Sequence, residues 1–169
     1  QRMIDSESAG VAFSKNPVNG NDEAVISAVY GLGSSLVNGE VSGDTYVVNT
    51  ETGKILEKQI NDKEIMHILD KEHGFGIVTA AVNTKIRSFQ VLKDEKIKKI
   101  AETVKEAEEK SGSPRDIEWG IEKGKIYILQ SRPVTALEKN LKKEREVIWD
   151  NSNIVESYSN ITLPLTFSF

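Results

Sequence analysis

Asp116, Glu118, Gln130 and Arg132 are the side chains best suited to chemistry, because two alternating runs can gather them on one surface. In Asp116-Ile117-Glu118-Trp119-Gly120-Ile121 and in Tyr127-Ile128-Leu129-Gln130-Ser131-Arg132-Pro133, alternation of polar and apolar residues predicts strands with one face in a core. Between them lies the polar turn Glu122-Lys123-Gly124-Lys125. A three-residue loop, Glu122-Lys123-Gly124, keeps the parity even and predicts all four polar residues on one face. Ile117, Trp119 and Ile121 then enter a core on the other face. A two-residue turn would separate Glu118 from Gln130. Carboxylate and amide oxygens suit Mg²⁺, and a planar guanidinium suits a pair of phosphate oxygens. The face reads as a nucleotide-phosphate site. The same residues also fit a surface hairpin whose polar cross-strand pairs contribute ~0.2–1 kcal/mol each.

The elements that must position this hairpin are unevenly legible. Residues 1–5 and 9–14 read as strands separated by a turn at Ser6-Glu7-Ser8. Asn16-Pro17-Val18-Asn19-Gly20-Asn21 is a dense turn signal, and Ala24 to Tyr30 reads as a buried strand. A short helical turn is expected between Gly33 and Gly39. Asp44–Asn49 and Lys54–Ile60 form a hairpin around Thr50-Glu51-Thr52-Gly53. Over residues 62–92, Ile65, Met66, Ile68 and Leu69 fit either a helical face or a strand. From Asp94 to Lys110, Ile97, Ile100, Ala101, Val104 and Ala107 recur at helical spacing. Asp94 is placed to cap that helix and Gly112 to end it. Its Lys and Glu residues line a solvated face. Leu137 to Val147 reads as a linker helix leaving the domain.

Composition narrows the function classes. The 169 residues are 38% hydrophobic and 28% charged, as in a soluble globular protein with one ordinary core. A net charge of −4 argues against a nucleic-acid partner, which needs a basic surface. With no cysteine there is neither a disulfide framework nor a thiolate metal site, which is compatible with a cytoplasmic location. No apolar run approaches the ~20 residues of a membrane span. The chain opens on Gln1-Arg2-Met3-Ile4 and closes on Leu163-Pro164-Leu165-Thr166-Phe167-Ser168-Phe169. Both ends are expected to be cuts through a longer protein.

Three ordered blocks carry a family resemblance. Asp116-Ile117-Glu118-Trp119 with Leu129-Gln130-Ser131-Arg132-Pro133-Val134-Thr135 resembles the end of the ATP-binding domain of phosphoenolpyruvate synthase and pyruvate phosphate dikinase. Ser8-Ala9-Gly10-Val11-Ala12-Phe13-Ser14-Lys15-Asn16-Pro17 is similar to the strand and turn of that family. So is the block formed by Tyr30-Gly31-Leu32-Gly33, Leu36-Val37-Asn38-Gly39 and Asp44-Thr45-Tyr46-Val47-Val48. The tail from Trp149 to Phe169 resembles the next region of the synthase-like branch.

The resemblance implies an α+β fold, the C-terminal lobe of an ATP-grasp domain, mainly antiparallel sheet with one principal amphipathic helix. Residues 1–135 would form that lobe, and 136–169 the linker helix and the start of the next region. It implies that Glu118 and Gln130 hold Mg²⁺ and that Arg132 binds the phosphate in transfer. Asp116 aligns with a further nucleotide-contacting acid, and Gln1 with a glutamine near the adenine. ATP is the implied substrate, and pyruvate and a carrier histidine are partners reached through domains outside this chain. A homodimer is compatible with the resemblance. A rifampicin phosphotransferase type, or a non-catalytic nucleotide-binding module, are the alternatives.

Other tempting residues carry less. Gly31-Leu32-Gly33 matches neither a dinucleotide fingerprint nor a Walker A loop, and suits a tight turn where backbone passes closely. The family often has a Glu directly after this Gly-Leu-Gly, and here Ser34 stands in its place. His67 and His73 are six apart, match no short-range metal pair, and lack the setting of a phosphorylated histidine. They read as ordinary surface or partly buried residues. Arg87 reads as a solvated cation that could also approach an anionic substrate.

Overall fold

The computed structural model describes residues 4–71, 73 and 76–134. Gln1, the expected linker helix and the tail from Trp149 lie outside the described residues. Among the described residues, ten elements occur in order. Strands β1 (Ser8–Phe13) and β2 (Glu23–Tyr30) precede the one-turn helix α1 (Ser34–Val37). Next come β3 (Asp44–Asn49), β4 (Ile55–Gln59), β5 (Ile65–Leu69) and β6 (Ile77–Ala81). Helix α2 (Asp94–Ser111) leads into β7 (Arg115–Glu122) and β8 (Lys125–Pro133). Six strands form one antiparallel sheet in the order β4-β3-β2-β1-β7-β8, and β5 pairs with β6 in a separate hairpin. The fold is α+β, as expected.

Burial on both faces explains why β1 has six buried residues in succession instead of an alternating pattern. On one face, Ile97, Ile100, Ala101 and Val104 of α2 pack against Ala12, Ile26, Tyr46, Ile117 and Trp119. Each large aliphatic side chain buried there contributes about 1.5–3 kcal/mol. On the other face, Val11, Phe13, Val29, Leu36, Val41 and Val134 form a smaller core. The polar face of β7 belongs to this second side, because Asp116 and Glu118 stand opposite Phe13 and Val11 in the ladder.

Local expectations were met unevenly. The β3–β4 hairpin and buried β2 form where the turn chemistry and apolar runs placed them. Gly112 ends α2 with a left-handed φ of 71°. Residues 65–69 are a strand, which resolves the ambiguity of that segment against a helix. Ile4 and Asp5 carry no strand. They form a strap instead, held by the Asp5 N–H on Glu122 Oε1 and the Glu7 N–H on the Ile121 carbonyl. Asp94 does not cap α2. Lys93 occupies the capping position without a side-chain bond, and Asp94 faces Lys58 at 2.5 Å. The cation outcompetes the backbone amides for that carboxylate and holds it below the ordinary carboxyl range.

A buried ion pair anchors the segment between β4 and α2. Asp44 and Lys63 both have fully buried side chains and form a direct hydrogen-bonded pair. Asp44 Oδ2 also accepts the Tyr46 hydroxyl at 2.9 Å and the Val91 N–H at 2.7 Å. Burial and the adjacent carboxylate push the Tyr46 phenol far above its ordinary value. Replacing Lys63 by Met leaves the Asp44 charge buried and uncompensated. We expect Lys63→Met to lose about 3–5 kcal/mol in urea denaturation, and Lys63→Met/Asp44→Leu to recover much of that loss.

Candidate nucleotide-phosphate site

The turn that joins β7 to β8 is shorter than the parity argument required. Glu122 pairs with Lys125, so only Lys123 and Gly124 form the loop, with φ of 50° and 71°. Two successive positive φ values are those of a type I′ turn, whose twist matches a hairpin. A two-residue loop in a regular ladder would set Glu118 opposite Leu129. The register shifts between Glu118 and Trp119, however: Trp119 pairs with Ile128, and Glu118 with Gln130. Leu129 is the extra residue of a β-bulge. The expected loop length was wrong, and the bulge restores the parity it was meant to supply.

The four predicted residues therefore share a face. Asp116 stands opposite Arg132 and Glu118 opposite Gln130. Arg132 Nε donates to Asp116 Oδ2 at 3.0 Å, and its Nη2 lies 3.7 Å from Glu118 Oε1. Asp116 is buried, Glu118 and Arg132 are half-buried, and Gln130 is exposed on the edge strand. Asp116 thus orients Arg132 from below, while Glu118 and Gln130 both line the cleft above. Two carboxylates against one guanidinium leave this face one net negative charge, which favours a cation.

Glu118 and Gln130 line a cleft of about 440 Å³. Its other walls are Ile4 and Ser6 of the strap, Leu32 to Ser34, Val37 and Asn38 around α1, and Ile77. The Gly31-Leu32-Gly33 turn builds this wall by close backbone approach. Gly31 has φ of 71°, and a Cβ there would lie 2.2 Å from the His67 carbonyl oxygen. That carbonyl accepts the Leu32 N–H at 2.8 Å.

His67 is more deeply buried than the surface or partly buried histidine expected. Its ring is buried, with Nδ1 2.8 Å from Ser34 Oγ and Nε2 3.1 Å from Glu40 Oε2. Glu40 and Ser34 lie 27 and 33 positions from His67, and only the fold brings them together. His73 faces Asp70 on the surface. Arg87 is held by Asp62 at 2.7 Å and Glu64 at 3.3 Å, which accounts for it structurally.

Among the described residues, no group of three or more His, Cys, Asp or Glu forms a metal cluster. A carboxylate and an amide oxygen side by side nevertheless fit Mg²⁺, which usually takes one or two protein oxygens and completes its shell with water and phosphates. No helix among the described residues is long and apolar enough to cross a membrane.

The sheet, the bulged hairpin and the cleft thus define an α+β domain whose polar face sets a carboxylate and an amide beside an arginine. Residues 1–152 match the family described as pyruvate phosphate dikinase, AMP/ATP-binding domain, and the chain belongs to that family. It is 42% identical over 146 residues to a probable phosphoenolpyruvate synthase of Methanocaldococcus jannaschii, covering 86% of this chain and 12% of that protein. It is 42% identical over 151 residues to the phosphoenolpyruvate synthase of Pyrococcus furiosus, covering 85% and 18%. The rifampicin phosphotransferase of Bacillus subtilis is 36% identical over 138 residues, covering 81% and 16%. The chain spans less than a quarter of the length of each of these relatives.

The Gly31 approach can be isolated by a matched pair of variants. Gly53 has a similar φ of 67° but open space where a Cβ would stand. Gly53→Ala should cost only the left-handed backbone term, about 1–2 kcal/mol. Gly31→Ala, which adds the clash with the His67 carbonyl, should lose clearly more in the same denaturation experiment.

Proposed function

We propose that this chain is one wall of a Mg²⁺–ATP cleft, the C-terminal lobe of an ATP-grasp domain, in a phosphoenolpyruvate synthase-like phosphotransferase. The observation that carries the reading is the alignment of Glu118 and Gln130 across the bulged ladder, with Arg132 3.7 Å from Glu118. In this reading residues 1–135 belong to the nucleotide domain and residues 136–169 lead into the next region. When bound, Mg²⁺ neutralises phosphate oxygens and draws charge off the transferred group.

The residues divide the work by charge. Glu118 and Gln130 offer one charged and one neutral oxygen, which limits repulsion between the protein and a polyanionic substrate. Arg132 aims a planar donor fork at phosphate oxygens, where charge shifts during transfer. Asp116 holds that fork in place from a buried position. Gln1 would contact the adenine end. In the full-length protein the phosphoryl group would pass to a carrier histidine, for conversion of pyruvate to phosphoenolpyruvate in the cytoplasm.

The 36% identity to a rifampicin phosphotransferase favours a second acceptor for the same ATP chemistry. Incubating the full-length protein with Mg²⁺–ATP and either pyruvate or rifampicin separates the two readings by product. A non-catalytic module is disfavoured by the intact set of Glu118, Gln130 and Arg132.

Calorimetry tests the site directly. Mg²⁺-dependent ATP binding by the full-length protein should weaken on the order of 100-fold in Glu118→Ala/Gln130→Ala. Unchanged affinity, or binding indifferent to Mg²⁺ in both forms, would remove these residues from the metal site.

A further inference from the structure

Glu40, His67 and Ser34 form a hydrogen-bonded relay that ends at Ser34 on the wall of the cleft, and the Mg²⁺–ATP site gives it no task. Ser34 Oγ lies 2.8 Å from His67 Nδ1, and His67 Nε2 lies 3.1 Å from Glu40 Oε2. The order is hydroxyl, imidazole, carboxylate. The ring is buried, so its two nitrogens are committed to these partners, while Glu40 is exposed.

The direction of the hydrogen bonds follows from Glu40. The Asn38 amide donates to Glu40 Oε1 at 3.0 Å, and that bond, together with the His67 ring, holds the carboxyl below its ordinary range. Glu40 is therefore an anion at neutral pH and can only accept. That assigns the hydrogen of the neutral ring to Nε2 and leaves a lone pair on Nδ1. Nδ1 must then accept the hydroxyl hydrogen of Ser34. A serine has one such hydrogen, so Ser34 has none left to donate to a phosphate. Its remaining oxygen lone pairs belong to a group that lines the same cleft as Glu118 and Gln130. A hydroxyl whose proton is aimed at an imidazole backed by a carboxylate is an activated nucleophile.

We propose that Ser34 accepts the terminal phosphoryl group of the nucleoside triphosphate bound in this cleft. The inference rests on the Mg²⁺–ATP reading of the site. In the step, Ser34 Oγ bonds to the terminal phosphorus, and the bond from that phosphorus to its bridging oxygen breaks. The nucleoside diphosphate leaves with the bonding electrons, and the hydroxyl proton passes to His67 Nδ1. Glu40 stabilises the resulting imidazolium. The product phosphoserine stays on the cleft wall, where its negative charge opposes a second triphosphate, so the modification limits further nucleotide binding.

The chemistry of the product makes the test selective. Phosphoserine survives acid and is lost in alkali, whereas phosphohistidine is lost in acid. The full-length protein is incubated with Mg²⁺ and ATP labelled on the terminal phosphate, quenched in acid, and mapped by tandem mass spectrometry. Acid-stable phosphate is expected on Ser34 and absent in Ser34→Ala. Loss of the proton acceptor in His67→Asn should slow its formation by roughly 10²–10⁴-fold. Glu40→Gln, at an exposed position, should slow it as well. ATP binding with no acid-stable phosphate on Ser34 overturns the proposal and leaves the Mg²⁺–ATP site standing. Phosphate on Ser34 that forms equally fast in both relay variants also overturns it. No ATP binding at all overturns both.

Discussion

The buried contact between Asp44 and Lys63 holds the two halves of the fold in register. Asp44 accepts from Lys63 and the Asn61 N–H near the start of a long excursion, and from the Val91 N–H near its end. The excursion contains the β5–β6 hairpin and returns to the sheet as α2. Both its exits are thus fixed at one carboxylate on β3. A buried ion pair is weak evidence for net stability, because desolvation offsets most of the attraction. Its contribution here is placement. An apolar pair could fill the space, but it would not oblige three backbone and side-chain donors to converge on one point. The β5–β6 hairpin, which carries His67, lies between those two fixed points.

The sheet was legible because its strands obey local rules. Alternation located β7 and β8, an apolar run located β2, and Thr-Gly turn chemistry located the β3–β4 hairpin. The polar face was legible for the same reason, since Asp116, Glu118, Gln130 and Arg132 lie at period two. The route by which they meet was not. A type I′ turn at Lys123-Gly124 and a bulge at Leu129 each shift the parity by one, and the two shifts cancel. Sequence patterning constrains the sum of such shifts by requiring a buried face, and it does not say where along the hairpin they occur. The misplaced cap has a related cause: Asp94 suits an N-cap locally, but Lys58, from the neighbouring edge strand, claims the carboxylate.

The Ser34–His67–Glu40 contact was illegible in a stronger sense. Spacing arguments compare like with like within a turn or a strand, and these three residues share no element. The replacement of an acid by Ser34 after Gly-Leu-Gly was visible, but nothing nearby named its partner. That partner is supplied by Gly31, whose missing side chain lets the His67 carbonyl reach the Leu32 amide. Backbone contact brings β5 to the loop, and side-chain contact is its consequence.

The two walls of the cleft are held by different physics. Glu118 and Gln130 are carried on a hairpin whose inner strand is paired on both sides, β1 on one and β8 on the other. Their separation is set by ladder geometry and varies little with solution conditions. Ser34 opens a one-turn helix that Leu36 anchors in the second core and that two bonds tie to His67 of a separate hairpin. A metal and a triphosphate need the first kind of support, because charge neutralisation depends on fixed distances. One cleft therefore joins a wall carried by the sheet to one carried by a short helix packed on it. The division comes from topology: one wall lies inside the sheet, and the other rests on its second core and is tied to the separate β5–β6 hairpin.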